Sequence, residues 1–271
     1  MNRIEKKFRE LKNRKEKALV IYLTAGDPSL KKNAELINAF ESDGVDLIEL
    51  GVPFSDPVAD GPVIQEASQR AIKKKTNLRK IFGLVKRVRK RSQIPLLLMS
   101  YLNPILQYGY AHFARSARLS GVDGVIIPDL PPEEGREIAP ILKRENINLV
   151  YLLAPTSTTK RIRLVSNASA GFIYFVSITG VTGIHRSVPF KLEAILGRVK
   201  KETPLPVCVG FGVSTPAQAR EVSRSADGVI IGSAVVKALA AHSNANAEEF
   251  SKHRVRPFVK ALGKRASWHR R

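Results

Sequence analysis

Glu49 sits inside an apolar run, Leu47, Ile48, Leu50 and Gly51, that follows Asp46. As a strand, this run would carry Glu49 near its carboxyl end with no basic residue of its own to neutralise it. Burial disfavours the charged form of a carboxyl and raises its pKa. A carboxyl kept protonated near neutral pH is a usable general acid. The segment that follows, residues 52–62, carries Asp56 and Asp60 among Pro53, Pro57 and Pro62. Prolines restrain a loop, which suits a loop that must position a side chain. A loop aspartate ordinarily caps a helix or closes a turn. With Glu49 close by, either Asp56 or Asp60 could complete a carboxylate pair, and spacing leaves both open.

A second chemistry is written later in the chain. Thr179, Gly180, Val181, Thr182 and Gly183 follow one apolar run. Gly210, Phe211, Gly212, Val213 and Ser214 follow the next, and Gly232 and Ser233 follow the last and open a helical segment. Glycines let backbone N–H groups approach an anion, and a helix N-terminus adds a favourable dipole. A single glycine pair is an ordinary turn. Three such turns after three successive apolar runs point to a phosphate.

The elements that must position these groups follow from the pattern. Short runs rich in Val, Ile, Leu and Tyr occur at 19–24, 47–51, 95–101, 124–128, 148–153, 172–177, 206–210 and 228–232. They are nearly continuous in apolar character, as parallel strands covered on both faces require. Amphipathic segments separate them. Residues 30–42 place Leu36, Ile37 and Phe40 on one face, and 111–120 and 132–145 read similarly. Residues 27–29, 157–159 and 214–216 carry a capping residue or an early proline and are expected helix starts. Two helical stretches, 63–74 and 78–91, share one connection. Eight strands alternating with helices predict a closed (β/α)8 TIM barrel, with additional outer helices and an extra N-terminal helix over 1–17 that could plug the barrel bottom. No linker divides 1–271, so a single domain is expected, ending in a basic tail, 264–271, whose composition is compatible with disorder. In a barrel of this kind the active site lies at the carboxyl ends of the strands, with phosphate bound after strands seven and eight.

Composition narrows the setting. The chain has 271 residues, 44% of them hydrophobic, as a globular protein requires. No apolar run approaches the roughly 20 residues of a membrane helix, and the first residues lack the apolar core of a signal peptide. Cys208 is the single cysteine, which excludes an internal disulfide and a multi-cysteine metal site. A cytoplasmic setting fits. Lys and Arg total 45 against 24 Asp and Glu, a net charge of +21, which attracts anions. Residues 79–91 hold seven basic residues and no acid. Ile81, Phe82, Val85 and Val88 recur there at helical spacing, so the stretch reads as a solvated outer helix. It lacks a nucleic-acid recognition motif and interleaved aromatics, so nucleic acid is not the expected partner.

Residues 48–61, reading IELGVPFSDPVADG, resemble the signature of tryptophan synthase α chains. The resemblance continues at 23–28 (LTAGDP), 101–105 (YLNPI) with Tyr108 and Gly109, 128–131 (PDLP), 180–183 (GVTG), 210–212 (GFG) and 232–237 (GSAVVK). It runs through nearly the whole chain in the family's order. It implies a lyase of tryptophan biosynthesis that reversibly cleaves indole-3-glycerol phosphate to indole and glyceraldehyde 3-phosphate. Glu49 then matches the acid–base carboxylate and Asp60 the carboxylate that engages the indole N–H. Tyr22, Met99, Tyr101, Ile126, Leu152 and Phe211 match the apolar walls around the indole, and Tyr174 matches a residue near the substrate. Gly183, Gly212, Gly232 and Ser233 match the phosphate cradle. Thr182 falls in a loop expected to close over the site and meet Asp60. The resemblance implies no metal and no organic cofactor in this chain. It also implies a pyridoxal-phosphate-dependent β chain as partner in an α2β2 heterotetramer, with Pro53 and Asp56 in the contact.

Three positions depart from the commoner pattern: Tyr22 where phenylalanine is frequent, Pro128 where a small residue is frequent, and His185 inserted before Arg186. Other readings remain beside the family's. One is a stand-alone indole-releasing lyase without a β chain. Another is a different phosphate-binding barrel, which commonly uses a strand lysine that none of the eight runs contains. A third, outside enzymes, is a non-catalytic β-chain activator or a basic RNA-binding barrel.

Overall fold

The computed structural model describes residues 1–176, 192–210 and 212–264. Helix α1 (Arg3–Asn13) precedes strand β1 (Ala18–Thr24), α2 (Leu30–Asp43) and β2 (Leu47–Gly51). Helices α3 (Pro62–Lys73) and α4 (Leu78–Arg89) share the next connection and lead to β3 (Leu96–Met99). Then come α5 (Leu102–Tyr108), α6 (Tyr110–Ser120), β4 (Gly124–Ile126), α7 (Ile138–Arg144), β5 (Asn148–Val150) and β6 (Leu152–Leu153). The chain continues through α8 (Thr159–Ala168), β7 (Ile173–Val176), α9 (Leu192–Lys201), β8 (Val207–Gly210), α10 (Pro216–Ser223), β9 (Gly228–Ile231) and α11 (Ser233–Ala241). Helix α12 (Ala247–Phe250), a π-helical turn and α13 (Arg256–Ala261) complete the described elements.

All strand pairs are parallel, in the order β5-β4-β3-β2-β1-β9-β8-β7-β6. The run expected as one strand over 148–153 is two pieces, β5 and β6, parted at Tyr151. The N–H of Tyr151 turns to the Ser169 hydroxyl, 3.4 Å away, and leaves the ladder. The two ends of the sheet are therefore neighbouring parts of one strand. The N–H of Tyr174 donates to the Tyr151 carbonyl at 3.1 Å, so the sheet closes as a TIM barrel with eight strand positions.

Alternation along each strand sorts the side chains into two cores. Leu19, Ile21 and Leu23 of β1 face the helices, whereas Ala18, Val20 and Tyr22 face the barrel interior with Leu47, Leu97, Ile126, Val150 and Phe172. Both faces are buried, which is why the runs read as continuous. The expected helix starts are in place. Ser29 caps α2, Thr158 caps α8, and Thr215 forms a capping box with Gln218 ahead of Pro216. One helix is shorter than its pattern. The 132–145 segment becomes helical only at Ile138, because Pro131, Pro132 and Gly135 set turns first.

Helix α1 closes the amino end of the barrel, as the sequence suggested. Its buried face of Ile4, Phe8 and Leu11 packs into the interior core. The rings of Phe8 and Phe172 lie 5.6 Å apart. Asn2 caps α1 and its amide donates to the carbonyls of Asp123 and Asn146, both at 2.8 Å. At this end acids serve structure. Asp46 accepts from the Leu19 N–H at 2.8 Å, and Asp123 from the Leu96 N–H at 2.8 Å. Lys264, expected to begin a loose tail, is instead buried and paired with Asp46; residues 265–271 lie outside the described residues. Among the described residues, no helix is long and apolar enough to cross a membrane.

Candidate active site

Glu49 is the middle residue of β2, where it stands in register with Tyr22 of β1 and Leu97 of β3. The even spacing that buries Leu47 inside the barrel also turns Glu49 inward, one layer nearer the carboxyl end. Its residue exposure is 1%, and neither carboxylate oxygen has a hydrogen-bond partner among the described residues. Burial, and secondarily the charge of Asp60, push its pKa up to about 8. Glu49 is therefore held mainly protonated at neutral pH by its surroundings.

Asp60 comes from the proline-bearing loop after β2. Burial raises its pKa to about 6, and a hydrogen bond from Tyr101 opposes that rise. At pH 7 the pair thus differs in charge: Glu49 neutral, Asp60 ionised. Asp56 has another position. It is exposed and bonds the neighbouring Ser55 hydroxyl. Pro53 is half-buried in the same loop. The two aspartates that spacing left equivalent are separated by geometry, and only Asp60 faces Glu49's cavity.

That cavity has a volume of about 240 Å³. It brings together Tyr22, Glu49, Asp60, Met99, Tyr174, Gly212, Gly232 and Ser233 from the sequence expectations. The strands end there and α3 and α11 begin there. Larger open clefts of about 600 Å³ and 640 Å³ flank α1 at the opposite end, where no unpartnered buried acid faces them. Tyr22 fits its position because Gly51 lacks a side chain: a Cβ there would fall 1.9 Å from the tyrosine hydroxyl. Gly212 adopts φ +82°, a conformation that glycine holds without steric cost. Ser233 opens α11, whose first N–H groups have no partner within the helix.

Three expected wall residues do not themselves line this cavity. Ile126 and Leu152 stand in register with Met99 and Tyr174, which do line it, and pack in the same interior cluster. Tyr101 also lies off the cavity wall, with its hydroxyl on the loop that carries Asp60. Thr182, Gly183 and Phe211 lie outside the described residues, as does His185. The sequence reading missed Val63, Ile64, Val213 and Ile230, which line the cavity. Ile230 was discoverable: it lies two residues before Gly232 on the same strand, so alternation gives it the inward face. Val63 and Ile64 follow Pro62 at the start of α3, and only the path of the loop brings them over the site. Among the described residues, no cluster of His, Cys, Asp or Glu could hold a metal ion.

A parallel barrel with a buried glutamate, an aspartate and glycine turns at one mouth has the layout of a (β/α)8 enzyme whose site lies at the carboxyl ends of the strands. The comparisons narrow that class. Residues 8–264 match the family model for the tryptophan synthase alpha chain. The tryptophan synthase alpha chain of Geobacter sulfurreducens is 49% identical over 237 residues, covering 88% of this chain and 90% of the relative. That of Geotalea daltonii is 50% identical with the same coverage of 88% and 90%. A crystal structure of the tryptophan synthase alpha chain from Legionella pneumophila superposes with a TM-score of 0.89 at 35% identity, covering 97% of this chain and 98% of that one. A chain from the tryptophan synthase α2β2 complex of Pyrococcus furiosus gives a TM-score of 0.84 at 38% identity, with 90% and 99% coverage. The chain belongs to the tryptophan synthase alpha chain family, and so to the lyases of tryptophan biosynthesis.

Proposed function

We propose that this chain reversibly cleaves indole-3-glycerol phosphate to indole and glyceraldehyde 3-phosphate, with Glu49 as the proton shuttle and Asp60 as the partner of the indole nitrogen. The observation that carries this reading is the unpartnered, buried Glu49 carboxyl beside an ionised aspartate. Glu49 delivers its proton to indole C3. The ring becomes an indolenine cation, and the Asp60 carboxylate stabilises its N–H. The bond from C3 to the glycerol carbon then breaks, and its electron pair returns to the ring to restore indole. The hydroxyl on that carbon becomes the aldehyde carbonyl as its proton passes to the Glu49 carboxylate, which is thereby reset. The protonated ring is its own electron sink, so no metal or organic cofactor is required in this chain.

The substrate's ends fit the two halves of the mouth. Tyr22, Met99, Tyr174 and Ile230 offer an aromatic and apolar wall for the indole. Gly212, Gly232 and Ser233 at the start of α11 suit the phosphate, whose charge the helix dipole favours. Gly183 and Phe211 would complete these walls, and Thr182 would close over Asp60. A β chain carrying pyridoxal phosphate would receive the indole in an α2β2 assembly. The rim supports such a contact. Val58, in the loop beside Asp56, is 84% exposed, and Leu106, on α5, is 56% exposed.

The test is indole release from indole-3-glycerol phosphate by wild type, Glu49→Gln and Asp60→Asn, each with and without a cognate β chain. Glu49→Gln should lower kcat by about 10³-fold, within the roughly 10²–10⁴ range expected of acid–base groups, with folding intact. Near-normal turnover by Glu49→Gln would remove the mechanism. Wild-type turnover unaffected by the β chain would favour a stand-alone lyase.

A further inference from the structure

We infer that Tyr101 is a positioning residue that holds the Asp60 carboxylate through its hydroxyl, and not a passive part of the indole wall. This inference rests on the reading of Asp60 given above. Tyr101 follows β3 by two residues, and its ring is buried, with 4% exposure. The ring packs against Phe54, with centroids 5.4 Å apart. Its hydroxyl accepts the N–H of Ala59 at 2.9 Å. The same hydroxyl lies beside the Asp60 side chain, next in the chain after Ala59, where it favours the ionised carboxylate. One side chain therefore grips the 52–60 loop near both ends, at Phe54 and at Ala59 with Asp60.

The direction of these bonds follows from what each group can do. A tyrosine hydroxyl carries one proton to donate and lone pairs to accept. A backbone N–H can only donate, so Ala59 makes the Tyr101 oxygen an acceptor. An ionised carboxylate can only accept, so the hydroxyl proton goes to Asp60. The Ala59 contact thus orients the tyrosine oxygen and leaves its proton for the aspartate. Other bonds fix the backbone around the carboxylate. The N–H of Asp60 donates to Pro57 at 3.0 Å, and the Gln65 amide donates to the Asp60 carbonyl at 2.8 Å. Among the described residues, Tyr101 is the side chain that favours the charged form of Asp60. A donor to an ionised carboxylate favours the charged form, which is the form the indole N–H needs.

Tyr101→Phe tests the inference because it keeps the ring against Phe54 and removes the hydroxyl. Its pH–rate profile for indole-3-glycerol phosphate cleavage is compared with that of wild type, with Asp60→Asn as the reference for the underlying reading. The expected result has three parts. The acid limb of kcat/KM moves to higher pH, because Asp60 loses a donor to its charged form. The kcat falls about tenfold. The KM changes less than threefold. A residue that merely supported the fold would leave the acid limb where it was. An unmoved limb, or a loss carried entirely by KM, overturns the inference. Wild-type turnover by Asp60→Asn would instead refute the role given to Asp60, and so separates the two failures. Tyr101→Leu, which loses ring and hydroxyl together, should lose more kcat than Tyr101→Phe; equal losses with an unmoved limb also overturn the inference.

Discussion

Glu49 is held in a place where a charge is expensive, and no described residue hydrogen-bonds its carboxyl. Its pKa rises from 4.5 to about 8, so the folded chain retains a proton that the unfolded chain releases above about pH 4.5. Where the native state binds more protons, stability falls as pH rises. Glu49 should therefore cost the wild type stability progressively between about pH 4.5 and 8, by an amount on the order of a few kcal/mol. Glu49→Gln cannot ionise. In urea unfolding at pH 5 and pH 9, the variant should gain on wild type by that amount at the higher pH. A stability difference that does not change between the two pH values would mean that Glu49 is not held protonated. This residue was legible in the sequence, because an acid alone in an apolar strand has few structural uses. Asp60 was not separable from Asp56 by spacing. What distinguishes them is the course of the loop, and that course depends on contacts with Tyr101, from a distant strand end, and with Gln65 in the helix that follows.

At the scale of elements, the two ends of the barrel divide the work. The amino end is filled by α1 and bound by ion pairs, while the carboxyl end keeps a cavity. The same kind of residue is treated differently at the two ends: Asp46 and Asp123 tie strands together, whereas neither Glu49 carboxyl oxygen has a partner among the described residues. Phe8 is the centre of the α1 contact. Phe8→Ala should cost roughly 3–5 kcal/mol of unfolding free energy, the usual range for a buried phenylalanine. The kcat of the folded fraction should remain within about twofold, because the lost packing lies at the far end from Glu49. Denaturant titration and turnover on one preparation check both parts; a kcat loss as large as that of an active-site variant would show that the ends are coupled. Strand and helix positions were readable because both faces of each strand are apolar and the caps are explicit. The break at Tyr151 was not, since its cause is the hydroxyl of Ser169, 18 positions away and joined only through the fold.

Across the whole molecule, the cavity, the rim and the charge act on different partners. The net charge of +21 favours approach of a phosphate ester by long-range attraction, while selection between substrates belongs to the 240 Å³ cavity. Helix α4 shows how the charge is carried. Its Ile81, Phe82, Val85 and Val88 are buried, and Arg79, Lys80, Lys86 and Arg87 face solvent, as expected of an outer barrel helix. The exposed Val58 and Leu106 add an apolar element to a mouth otherwise built from turns.

The most direct test of the central claim is the pH dependence of kcat/KM for indole-3-glycerol phosphate cleavage by the wild type. This quantity reports the ionisations of the free enzyme. An ionised Asp60 and a protonated Glu49 predict a bell, with an acid limb near the Asp60 value of about 6 and an alkaline limb near the Glu49 value of about 8. The alkaline limb should vanish or collapse with activity in Glu49→Gln. A wild-type rate that stays level from pH 7 to pH 9.5, with protein and substrate intact, would contradict the account.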